Sequence, residues 1–211
     1  MSAIFELVRG DGPLLISAPH AGTYLPDELG ARLTPPGRAL VDTDWFADRL
    51  YAPGDEPNDD EVRVRRALCF DPYHDALTGE LRRTTAAHGY ALLLDAHSIW
   101  GKLPLVFEGE LPEINLGTNS GRSCDPQLIS AAVGAVAASP FSHVLDGRFK
   151  GGYITRHYGA PRANVHALQI EINQRAYLAD GSRTQWDDAK AARLQRVLRA
   201  VCEAMLALIT A

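Results

Sequence analysis

Two histidines follow apolar runs in similar settings. His20 closes the run in "LLISAPHAG" (14–22) and His97 the run in "YALLLDAHS" (90–98). Ligands of open α/β sheets gather beyond the carboxyl ends of strands. Imidazoles held there, with small neighbours such as Ala21-Gly22 and Ser98, suit metal coordination. One such histidine is more often a structural residue; two in the same setting make a shared role worth following. A catalytic metal ion usually keeps three protein ligands and an open position. "VDTDW" offers Asp42 and Asp44 as the acidic third. Asp42 also suits a helix N-cap, which makes Asp44 the better candidate ligand. Asp95 precedes His97 by two positions, a strand spacing that puts both side chains on one face, so Asp95 can orient the imidazole. Two histidines and a carboxylate fit Zn2+, and also other first-row divalent metal ions.

A hydrolytic site of this kind needs a base to take a proton from water and pass it to the leaving nitrogen. Glu171, in "HALQIEINQR", lies between Ile170 and Ile172 in an apolar strand pattern. A carboxylate so placed must be paired, near a metal or catalytic; a salt bridge to Arg175 is the plainer alternative. "GRFKGGYITRHYG" (147–159) mixes glycines with Arg148, Lys150, Arg156 and His157. Glycines let backbone approach a ligand, and arginine grips a carboxylate with two parallel hydrogen bonds. The loop lacks the phosphate-binding G-x-x-x-x-G-K-[ST] pattern, and a solvated basic loop is the plainer reading.

The elements that position these residues follow from periodicity. Leu14–Ala18 and Tyr90–Asp95 read as buried strands, and residues 4–8, "IFELV", as a short edge strand. "LPLVFEG", "HVLDGRF" and "HALQIEIN" read as three more. "DTDWFADRLY" suits a short helix. "APGDEPNDDE" (52–61) is an acidic, proline-bearing loop. Residues 61–88 are helical in pattern, with Val64, Leu68, Tyr73 and Leu77 recurring and Asp71-Pro72 interrupting. Asp125 as N-cap and Pro126 at the first helical position open another helix. "WDDAKAARLQRVLRAVCEAMLALIT" is a long amphipathic helix with Leu194, Val197, Leu198, Val201, Met205 and Leu208 on one face. Strands alternating with helices predict an α/β fold, a mixed, largely parallel sheet flanked by helices on both faces.

The 211 residues suit a single domain over 1–211, and 46% hydrophobic content argues against disorder. A net charge of −5 without a Lys/Arg run gives no nucleic-acid footprint. No stretch is apolar for the roughly 18 residues of a membrane span, and the start lacks signal-peptide character. Cys69, Cys124 and Cys202 are odd in number and far apart, which points to a reduced, cytoplasmic protein rather than a cysteine metal cage.

Several segments together resemble the N-formylglutamate amidohydrolase family. They are "SAPHAGTYLP", "DTDWFADRLY", "PYHDAL", "LLLDAHSI", "LPEINLGTNSGRSCDP", "GRFKGGYITRHYG" and "HALQIEINQRAY", in the family's order. The resemblance implies a metal-dependent hydrolase that splits N-formyl-L-glutamate into L-glutamate and formate in histidine degradation. It implies a fold similar to the zinc carboxypeptidases and aspartoacylases. By that likeness His20 and His97 are ligands and Glu171 is the base. Relatives carry an acid three residues after the first histidine, where this chain has Thr23, so Asp44 or Asp42 takes that place. Arg156 would hold a substrate carboxylate, helped by Asn119. Between "DRLY" and "PYHDAL" family members carry several dozen more residues, with a strand and an Asn-Arg pair that this chain replaces by "APGDEPNDDEVRVRRALCFD". A smaller sheet is expected, with Arg156, Arg148 or Arg175 compensating for the lost arginine. A hydrolase of another N-acyl amino acid and a non-catalytic binding protein are the alternatives. The expected partner is a small anionic molecule; the oligomeric state is not legible.

Overall fold

The computed structural model describes residues 5–20, 59–104 and 107–209. Asp42, Asp44 and the helix expected in "DTDWFADRLY" lie outside the described residues. The chain divides into two compact units, one of Met1–Asp11 and His20–Arg83, the other of Gly12–Pro19 and Thr84–Ala211.

Helix α1 (Asp59–Arg65) passes through a π-helical turn, Arg66–Phe70, into α2 (Asp71–His88), which belongs to the first unit as far as Arg83. The expected interruption at Asp71-Pro72 takes this form for a steric reason. Proline has no N–H, and its ring presses on the carbonyl four residues back. A wider turn before it relieves that clash. The turn also shifts the helix phase, so the expected apolar stripe is not continuous. Val64 and Leu68 are 55% and 54% exposed, whereas Tyr73 and Leu77 are half-buried. Arg83 and Arg9 each place Nε 2.7 Å from a Glu80 carboxylate oxygen. The hydrogen bond from Arg83, and then that from Arg9, holds this carboxyl below the usual range. Residues 5–8, expected as an edge strand, form none.

The second unit is built on a five-stranded sheet of order β1-β2-β5-β3-β4. The strands are β1 (Leu14–Ser17), β2 (Ala91–Ile99), β3 (Ile114–Gly117), β4 (His143–Leu145) and β5 (Val165–Asn173). All neighbours are parallel except β3 and β5. Helices α3 (Pro126–Ala137), α4 (Tyr153–Tyr158) and α5 (Asp188–Ile209) complete it. The mixed, largely parallel sheet agrees with the expectation.

Alternation along the strands sorts the two faces. Leu92, Leu94, Ile114, Leu116, Leu168, Ile170 and Ile172 form one core with Leu128, Ala132 and Val136 of α3 and Leu194, Val201 and Met205 of α5. Burying each large side chain is worth about 1.5–3 kcal/mol. Helix α3 starts as expected, with Asp125 accepting from the Gln127 amide at 2.8 Å and Pro126 in the first turn. Leu208, expected on the buried face of α5, is 48% exposed. The other sheet face carries α4, where Thr155 Oγ1 donates to Asp95 Oδ2 at 3.0 Å.

Other expectations are corrected. Strand β2 continues through Ile99, so His97 lies within the strand rather than past its end. Strand β1 lies at the sheet edge, which leaves Ile16 64% exposed instead of buried. The described part of "LPLVFEG" is not a strand. The Phe107 amide donates to Leu103 O at 2.9 Å in a turn, and Phe107 packs with Ile99, Leu111 and Phe149. The strand is instead the short "INLG" of β3. Of "HVLDGRF" only the first three residues pair, as β4.

Candidate active site

Parallel pairing of β2 with β5 sets Asp95 beside Gln169 and His97 beside Glu171. Residues two apart on a strand share a face, so all four side chains stand together on the face opposite the α3–α5 core. Asp95 is fully buried, and His97 Nε2–H donates to its Oδ1 at 2.9 Å. Glu171, 1% exposed, accepts from Gln169 Nε2 through Oε2 at 3.1 Å. On the other side of Glu171, Asn115 of β3 is its antiparallel partner. Asn115 Nδ2 donates to Pro112 O at 3.0 Å and to Glu171 O at 3.3 Å. Its buried Oδ1 has no hydrogen-bond partner among the described residues.

Sequence reasoning passed over Gln169, Asn115, Thr155 and Tyr177. Gln169 was within reach, because it stands to Glu171 as Asp95 stands to His97. Tyr177 lies just beyond β5 and its hydroxyl is 2.8 Å from Ser98 Oγ. Burial, and then the negative charge of Glu171, push its phenol above the ordinary value, against the pull of the Ser98 hydrogen bond.

The expected substrate-binding residues are less closely grouped. Arg156 is exposed and its Nη1 donates to Gly151 O at 2.6 Å. Arg148 lies over the Phe107 ring at 4.9 Å. Arg175 pairs with Glu110, which also meets Lys102 Nζ at 3.1 Å. Asn119 occupies a left-handed turn at φ 52°, and its amide donates to Lys150 O.

The glycine-rich loop rests directly on the sheet. A Cβ at Gly117 would stand 2.6 Å from Gly151 N and 2.8 Å from Lys150 C, so only glycine admits this approach. The Gly152 amide then donates to Gln169 Oε1. Gly117→Ala meets backbone that cannot step aside. It should destabilise the protein by about 1–3 kcal/mol, read as a lower denaturation midpoint.

Among the described residues, no group of three or more His, Cys, Asp or Glu is placed to hold a metal. His97 has the chemistry of a ligand all the same. With Nε2–H given to a carboxylate, its Nδ1 carries the lone pair, and such a partner fixes tautomer and orientation. His20 is exposed and belongs to the other compact unit. An imidazole so oriented is a donor that fits a divalent ion.

The family model for N-formylglutamate amidohydrolase matches residues 12–57 and 53–178. The N-formylglutamate deformylase of Pseudomonas aeruginosa is 39% identical over 260 aligned positions, covering 98% of this chain and 97% of that protein. That of Pseudomonas putida is 35% identical over 259, with the same coverage. These alignments are longer than the 211 residues of this chain, so the relatives carry a few dozen residues that it lacks. The family match comes in two pieces that overlap at 53–57, within the acidic stretch "APGDEPNDDE". A solved gene product of Agrobacterium tumefaciens superposes with a TM-score of 0.67 at 14% identity, covering 94% of this chain and 92% of that one. N-formylglutamate amidohydrolase from Ralstonia eutropha JMP134 superposes at 0.57 with 23% identity, covering 72% of this chain and 54% of that one. The likeness to these two structures concerns the fold.

Proposed function

This chain belongs to the N-formylglutamate amidohydrolase family, and on that premise we propose that it hydrolyses N-formyl-L-glutamate to L-glutamate and formate in a metal-dependent reaction. The observation that carries the reading is the single polar face on which Asp95–His97 and Gln169–Glu171 stand side by side across β2 and β5.

His20, His97 and Asp44, or Asp42 in its place, would hold the ion, with zinc first by ligand type. When bound, such an ion polarises a carbonyl and makes water more acidic. Asp95 holds His97 in one orientation. Glu171 takes a proton from the attacking water, whose oxygen bonds to the formyl carbon. The same carboxyl returns the proton to the nitrogen as the C–N bond breaks, releasing the amine of glutamate and formate. Arg156, with Arg148, Arg175 and Asn119 near the glycine-rich loop and the end of β5, supplies the cations and donors for the substrate carboxylates.

A cytoplasmic setting belongs to the same reading; Cys69, Cys124 and Cys202 are free thiols. No helix among the described residues is long and apolar enough to cross a membrane. The missing stretch after residue 51 favours a second reading, hydrolysis of another N-acyl amino acid on the same scaffold. Formate release from N-formyl-L-glutamate, measured with added zinc and with a chelator, tests the first. Turnover that the chelator abolishes and zinc restores is the expected result. No turnover by folded, metal-loaded protein, with turnover of another N-acyl amino acid, selects the second reading.

A further inference from the structure

We propose that Gln169 is a positioning residue that holds the Glu171 carboxylate in its working orientation; this rests on the reading of Glu171 as the base. Gln169 is 4% exposed and shares the face of Glu171 two residues away on β5. Its amide is committed at both ends. Oε1 receives the Gly152 N–H, and Nε2 donates to Glu171 Oε2 at 3.1 Å. The first bond fixes which end of the amide faces which way, because only an oxygen can accept from Gly152. The nitrogen is thereby aimed at the carboxylate. A donor on one carboxylate oxygen restricts rotation of the group.

The anchor at the far end is itself built in. Gly152 is the N-cap of α4, and the loop before it lies against Gly117, the register partner of Gln169 on β3. Thr155 of the same helix donates to Asp95. One short helix and its lead-in loop therefore brace both members of the polar face, Asp95 directly and Glu171 through Gln169.

The test is a double-mutant cycle on N-formyl-L-glutamate hydrolysis by the metal-loaded enzyme. Gln169→Met removes both bonds at similar volume. Gln169→Glu keeps the acceptor for Gly152 but sets a carboxylate against Glu171. Each should lower kcat about 10- to 100-fold, the scale of a slightly misplaced catalytic group, with KM within about twofold. In a Glu171→Gln background the same replacements should change the residual rate less than about twofold, because the group they orient is already gone. Equal losses in both backgrounds, or wild-type kcat in folded Gln169→Glu, overturn the proposal. If Gln169→Met does not fold, Gln169→Glu carries the test. Full activity of Glu171→Gln itself overturns the base reading and this proposal with it. Loss in Glu171→Gln but not in either Gln169 variant overturns the positioning role alone.

Discussion

Glu171→Gln should lower kcat for formate release by about 10²- to 10⁴-fold, the usual contribution of a general acid–base group. The substitution is close to isosteric. Gln169 Nε2 can still donate to the new side-chain oxygen, and Asn115 still binds the backbone carbonyl of residue 171. The packing around a side chain only 1% exposed is therefore kept. What disappears is the capacity to accept a proton from water and return it to nitrogen. The check is kcat and KM beside a melting curve and a metal analysis. A variant that keeps its metal and its fold but not its turnover supports the base role. Metal lost in step with activity would make Glu171 part of the ion's binding instead, and unchanged kcat would remove it from the chemistry.

Asp95→Asn should cost about 10- to 100-fold in activity or metal affinity, as losses of a histidine's outer partner generally do. Asp95 accepts on both oxygens, from His97 Nε2 and from Thr155 Oγ1. An amide keeps one acceptor and turns a donor towards the other partner. If the oxygen stays on His97, Thr155 must rotate its proton away. If it stays on Thr155, the imidazole must change tautomer, and the Nδ1 lone pair is lost. Either way the negative charge that makes the imidazole a better donor to a metal is gone. Zinc affinity measured by competition with a chelator, alongside kcat/KM, checks this. Asp95→Asn with native affinity and native kcat/KM would show that His97 needs no carboxylate partner.

The centre of the fold was legible because β2 opens on the apolar run Ala91–Leu94 and β5 alternates apolar Leu168, Ile170 and Ile172 with polar residues. The same rule faltered where polarity and burial part company. "DAHSI" looked like the exit from a strand because its residues are polar, yet Asp95 is fully buried and the ladder runs on to Ile99. "INLG" was passed over because four residues with a central asparagine give no alternation to count. "LPLVFEG" drew the assignment instead, although its described apolar residues belong to a small cluster around Phe149. In the candidate site, the i, i+2 rule brought out Asp95 and His97. The same rule applied to β5 brings out Gln169, but a neutral amide among apolar residues drew no notice. The glycines of 147–159 suggested a ligand-binding loop; the structure shows what at least two of them do, which is to let backbone lie on Gly117 and reach Gln169. That depends on a residue three dozen positions earlier, which no local pattern signals. Asp42 and Asp44 lie beyond what the structure describes.

The pairing of β2 with β5 also governs how the site comes into being. Its two strands are separated in sequence by β3, α3, β4 and α4. Non-local parallel pairings of this sort form late and slowly, since loop-closure entropy must be overcome before any contact rewards it. A slip of β5 by one residue in that ladder would turn Gln169 and Glu171 into the leucine-lined side and bring Leu168 and Ile170 out. The α3–α5 core forbids that arrangement. The apolar side of the sheet thus acts as a proofreader for the polar side: a chain that has sealed its core has, by the same event, aligned its acid, its imidazole and its amide.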